Sequence, residues 1–243
     1  MNRRILLVSL LTSGALLAGG AAHAQMTLKQ FGIGGGDSST GGSAGGGLGA
    51  AVGNALGGNS GSTSSTGVSQ LLQGYVGANQ QVLSGQSSLA SAMGMTSEAG
   101  QAQQAAGLLS GGTPSVSQLT QMGSTQQSLS QKLTGAFASQ ASGGASAAPV
   151  DKQAFTSGLS SLGKGVSQYS SLQSGLGSVG QMSPSSLLQS GLNPQTVQSA
   201  SYIAQSAPGQ LKSLMSTLSS AVQFASSHGI SVPSVATSAL KGM

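Results

Sequence analysis

The sequence predicts an all-α protein: an antiparallel helical bundle of about four long helices with short connecting helices, preceded by a disordered Gly/Ser-rich leader. Three observations predict it. From Gly67 onward, apolar residues recur at steps of three and four, as a helix with one buried face requires. Capping side chains stand before prolines at several points where such stripes begin. No segment shows a comparable run of the strict alternation that marks a half-buried strand.

Residues 1–24 read as a secretory signal peptide. Arg3 and Arg4 supply the charged start, Ile5 to Ala18 the apolar stretch, and Ala22-His23-Ala24 a small-x-small cleavage site before Gln25. Ser9, Thr12, Ser13 and Gly14 interrupt the apolar stretch, which falls short of the roughly 20 residues of a membrane span. Cleavage between Ala24 and Gln25 gives a chain expected in the periplasm or outside the cell, with no stable span. The absence of cysteine removes lipid anchoring through that residue and any dependence on disulfides.

Residues 25–66 read as a flexible leader. Between Gly32 and Gly61, 14 of 30 positions are glycine, and most others are Ser, Ala, Asn or Thr. Such a segment buries too little apolar surface to offset its ordering entropy. It has no Gly-X-Y period, which excludes collagen.

Residues 67–243 read as the bundle domain. The first stripe runs through Val68, Leu71, Leu72, Tyr75, Val76, Val82, Leu83, Leu89, Ala90 and Met93, and the second through Leu119, Met122, Leu129, Leu133 and Phe137. The third, and cleanest, is Phe155, Leu159, Leu162, Val166, Tyr169, Leu176 and Val179; the fourth is Leu211, Leu214, Met215, Leu218, Ala221, Val222 and Ala225. Glu98 to Leu109, Pro184 to Leu188 and Pro194 to Ala207 read as connecting helices. Thr113-Pro114, Ser183-Pro184 and Asn193-Pro194 each place an N-cap before a proline at the first helical position. Asp151 caps the third long helix with Val150 and Phe155 as its staple, and His228-Gly229-Ile230 forms a glycine C-cap before Pro233.

The outer faces carry Ser, Gln, Thr and Gly where soluble helices usually carry Lys, Glu and Arg. Five glycines in the third helix, Gly158, Gly163, Gly165, Gly175 and Gly177, cost about 0.8–1.0 kcal/mol each relative to alanine. Close packing offsets this: Gly158 and Gly165 lie at the edge of the Phe155/Leu162/Tyr169 face, where they let another helix approach.

Composition excludes much chemistry. Removing residues 1–24 leaves six lysines, three carboxylates, one histidine and no arginine. No two lysines lie within eleven residues of one another, so the basic balance makes no phosphate-binding patch, and nucleic acid is not an expected partner. Asp37, Glu98, Asp151 and His228 form no local metal-binding pattern, and no metal or cofactor is expected. With so few acid-titrating groups, stability should respond weakly to acid, which suits an acid-exposed setting. Tyr75, Tyr169 and Tyr202 read as core-edge residues with solvated hydroxyls.

Three motif matches are accidents of composition. Gly41-Gly42-Ser43-Ala44-Gly45 imitates a nucleophile elbow without the strand before it; Ser161-Leu162-Gly163-Lys164 and Ser238-Ala239-Leu240-Lys241 imitate a serine-lysine dyad without its companion motifs. Gly175 to Gly180 imitates a dinucleotide fingerprint, but no acidic residue follows it. The expected function is therefore non-catalytic: an exported structural or protein-interaction module of a bacterial-type cell envelope, binding another envelope protein or itself. A membrane-active amphipathic protein is the alternative, disfavoured because insertion favours basic polar faces and bulky aromatics, whereas these faces are mainly Ser and Gln and tryptophan is absent. A hydrolase with an unrecognised site is the third reading, and it lacks an evident base, acid pair or metal.

Overall fold

A computed structural model describes residues 65–141 and 149–242. The expected signal peptide, nearly all of the expected leader and the Gly41–Gly45 match lie outside them. Among the described residues there are seven helices and no strand: α1 (Ser65–Ala92), α2 (Thr96–Gly107), α3 (Val116–Ala141), α4 (Lys152–Gly180), α5 (Pro184–Gln189), α6 (Pro194–Ser227) and α7 (Ser234–Lys241). The fold is all-α, with four long helices, α1, α3, α4 and α6. Ser65 and Thr66, read from sequence as the end of the leader, belong to the first turn of α1.

Each stripe forms the buried face of its helix. Every residue of the third stripe is buried in α4, from Phe155 to Val179. Asp151 caps α4 as expected, its carboxylate accepting from the Gln153 and Ala154 amides at 3.0 Å. Ser183 caps α5 and Asn193 caps α6, each before a proline in the first turn. At the end of α6, Gly229 takes φ +62° and the Ile230 amide reaches back to the Ala225 carbonyl at 2.9 Å, a glycine C-cap.

Two boundaries differ from the sequence reading. Pro114 does not open α3; Ser115 does, through a capping box in which the Gln118 amide donates to Ser115 Oγ and the Ser115 amide to Gln118 Oε1. That box satisfies two backbone donors at once, which a cap at Thr113 does not offer. The segments Pro194 to Ala207 and Leu211 to Ala225 are one helix, α6, of 34 residues with Pro208 inside it. Ala200, Ile203, Ala207, Leu211, Leu214 and Leu218 are all buried, so one apolar face runs unbroken past the proline. Packing of that face outweighs the single backbone bond lost at Pro208.

Around the core the long helices neighbour one another in the order α1, α4, α6, α3. Gly85 meets Leu162, Gly158 meets Leu89 and Gly74 meets Leu172, so α1 and α4 are antiparallel. α4 and α6 are also antiparallel, with Phe155 against Phe224 and Tyr169 against Gln210. α3 runs in the same direction as α6, Gly123 lying by Gln210 and Phe137 by Phe224. This follows from α2, which carries the chain back along α1 before α3 begins. Phe137, Phe155 and Phe224 join α3, α4 and α6 at one end, with ring centroids 5.3–5.7 Å apart. α7 folds back onto α4, with the Ala236 backbone over Gly163.

The α1/α4 contact is the most extensive among the described helices and is built on glycine. A Cβ on Gly158 would lie 2.9 Å from the Leu89 amide, and one on Gly165 2.9 Å from the Val82 amide. The two glycines expected to admit a neighbouring helix do so, and Gly85 on α1 completes the seam.

Candidate functional site

The scarce chemical side chains are dispersed. Glu98 on α2 pairs with Lys132 on α3 at 3.1 Å. The lysine ammonium holds the Glu98 carboxyl below the usual carboxylate range. Asp151 caps α4, while the His228 ring stacks on Phe224 with centroids 4.0 Å apart. His228 Nδ1 lies 2.9 Å from the Phe224 carbonyl. Glu98, Asp151 and His228 thus serve three separate helix ends or faces, and no three His, Asp or Glu side chains gather as metal ligands among the described residues. Ser161 and Lys164 sit on α4 and Ser238 and Lys241 on α7, all within helices, and Gly175 to Gly180 forms the last turns of α4 rather than a phosphate-binding loop.

Among the described residues, buried polar side chains gather in the core, and their arrangement corrects the reading of the tyrosines. Tyr75 and Tyr169 are buried with their hydroxyls bonded inside the protein, not solvated at its edge; Tyr202 alone is half-buried. The rings of Tyr75 and Tyr169 meet edge to face at 5.2 Å. Both hydroxyls donate to Gln210 Oε1, at 2.7 and 2.5 Å. Asn79 Nδ2 donates to the Tyr75 carbonyl at 2.8 Å and to the Tyr169 hydroxyl at 3.1 Å, and Asn79 Oδ1 accepts from Gln126 Nε2 at 3.1 Å. Each of the four long helices contributes to this layer. Two turns further along α1 from Asn79, Gln86 Nε2 donates to Ser130 Oγ at 2.9 Å and, more weakly, to the Gln126 carbonyl. Its Oε1 is buried without a partner among the described residues.

Burial pushes the Tyr75 hydroxyl above its ordinary range and the Tyr169 hydroxyl well above it. Both are neutral donors at physiological pH, unsuited to act as general bases. The layer escaped the sequence reading although a signal for it was present. Asn79 and Gln86 are seven residues apart on the face that carries Tyr75, Val82 and Leu89, and Gln126 sits between Met122 and Leu129 in the buried stripe of α3. A polar residue at a core position of an otherwise apolar stripe is that signal.

Two surface clefts lie among the described residues. One, of about 160 Å³, lies between α4 and α6 beside Tyr169, Gln173, Gly177, Ala204 and Pro208. The other, of about 320 Å³, lies between α1 and α2 beside Leu83, Ser87, Ser88, Ala102 and Gln103. Neither is lined by a charged residue. No family model, no curated protein and no solved structure matches this chain.

Proposed function

We propose that the chain is an exported, non-catalytic helical-bundle module of a bacterial-type cell envelope that acts as a structural or protein-interaction component. The observation that carries this reading is how the chemically capable side chains are employed. Asp151 caps a helix, Glu98 pairs with Lys132, and Tyr75 and Tyr169 bond one another's partners within the core. What faces outward is mainly serine, glutamine, threonine and glycine, a surface with weak self-repulsion that suits association with another envelope protein or with a second copy. The Arg3/Arg4, apolar and Ala22-His23-Ala24 pattern supports export and cleavage before Gln25. Among the described residues no helix is long and apolar enough to cross a membrane.

Expression of the whole precursor in a bacterial host, followed by fractionation, mass determination and in-cell cross-linking, tests the reading. The expected product begins at Gln25, is found in periplasm or medium, and gives discrete cross-linked adducts. Uncleaved protein confined to the cytoplasm would overturn the export reading, and absence of any adduct would overturn the interaction reading.

A further inference from the structure

We infer that the layer of Tyr75, Asn79, Gln126, Tyr169 and Gln210 is an alignment lock, which selects one axial register for the four long helices from several that the apolar and glycine pattern leaves open. The need for a lock arises at the glycine seam. Small residues on α1 recur every seven positions, at Ala78, Gly85 and Ala92, and on α4 Gly158 and Gly165 have the same spacing. In the observed register Gly158 lies against Gly85 and Leu89, and Gly165 against Ala78 and Val82. Sliding α4 by seven residues sets Gly165 against Gly85 and Gly158 against Ala92, again small on small. Seven residues is close to two helical turns, so the apolar stripes also return to the same face. Steric fit therefore separates these registers weakly.

Hydrogen bonding separates them strongly. The same slide takes Tyr75 and Asn79 away from Tyr169 and sets them against Leu176, an apolar residue that can neither donate nor accept. The bond from Asn79 Nδ2 to the Tyr169 hydroxyl and the bond from that hydroxyl to Gln210 Oε1 both run through α4 and exist in the observed register alone. A buried polar group without a partner is penalised far more than an apolar one that has merely moved. Single buried polar residues fix register in coiled coils on the same principle, at some cost in stability.

The test exploits the absence of cysteine. Spin labels on cysteines introduced at exposed Gln73 of α1 and exposed Ser167 of α4 report the α1/α4 alignment in the full chain. A seven-residue slide displaces one helix along the other by about 10 Å, at 1.5 Å per residue. The native layer is expected to give one narrow distance distribution. In the background Tyr75→Phe/Asn79→Leu/Gln126→Leu/Tyr169→Phe/Gln210→Leu, helical circular dichroism should persist while a second, displaced distance population appears. The milder Tyr75→Phe/Tyr169→Phe background, which keeps both rings, should show the same second population at lower amplitude. A single unchanged distance in both backgrounds would overturn the lock. Loss of helix in the fivefold background, with one native distance in the milder one, would overturn it too, because the layer would then supply stability rather than alignment.

Discussion

A methyl group added at Gly85 would sit 2.6 Å from the Leu162 amide nitrogen and 2.9 Å from the Gly158 carbonyl oxygen, both backbone atoms that cannot turn aside. Gly85→Ala and Gly158→Ala should therefore push α1 and α4 apart and destabilise the protein by about 1–3 kcal/mol, despite the gain in helix propensity. Gly135 and Gly177 have open space where a Cβ would go. Substituting either by alanine should instead stabilise by about 1 kcal/mol. Denaturant melts of the four variants check the contrast. Four of equal sign would contradict the packing. The two classes of glycine were only partly separable from sequence: Gly158 and Gly165 declared themselves by their place beside an apolar face, whereas the partner glycine, Gly85, became visible only once α1 was seen opposite α4. The tyrosines show the same limit. Their ring positions follow from periodicity, but the fate of a hydroxyl depends on Gln210, which is 135 residues from Tyr75 in the chain. Tyr169→Phe should cost about 1–2 kcal/mol, since Asn79 and Gln210 keep other partners.

Helix starts are set by local chemistry and are correspondingly legible. Asp151, Ser183 and Asn193 each cap the helix that sequence assigned to them, because the capping bond spans three residues and needs no tertiary partner. Asp151→Ala should lower stability by about 1 kcal/mol, read as a shift in the urea midpoint. α6 shows where local reasoning stops. A proline reads as a break, yet Ala207 and Leu211 on either side of Pro208 are both buried, and tertiary burial carries the helix through. Pro208 itself is exposed. Pro208→Ala restores a backbone donor without opening a core cavity, so it should stabilise by up to about 3 kcal/mol. A destabilised Pro208→Ala variant would mean that the packing requires the proline at this point. The direction of α3 was not legible either, because it depends on α2 folding back along α1 rather than continuing past it.

At the scale of the whole molecule, few groups couple stability to acid. Glu98 is the described carboxyl that titrates lower in the folded chain, so its contribution is present above its ordinary value near 4.5 and fades as pH falls below that. Its partner Lys132 is exposed and the pair lies at the surface, so the effect is small. The tyrosines act in the opposite range. Their folded values are raised, so the folded chain holds its phenolic protons more tightly than the unfolded chain, and the stability they confer is complete below pH 10 and lost as pH rises above it. The melting temperature should therefore stay nearly level from pH 7 to 4 and fall steeply above pH 10. A sharp fall between pH 7 and 4 would show that acid-sensitive contacts hold the fold. The central claim, that the chain acts through a preformed helical module rather than by entering lipid, is tested most directly by co-sedimentation of the chain from Gln25 with vesicles, its far-UV circular dichroism recorded with and without them. The account predicts full helicity in buffer and protein left in the supernatant. Pelleting with the vesicles, or helix that appears only when lipid is added, would contradict it.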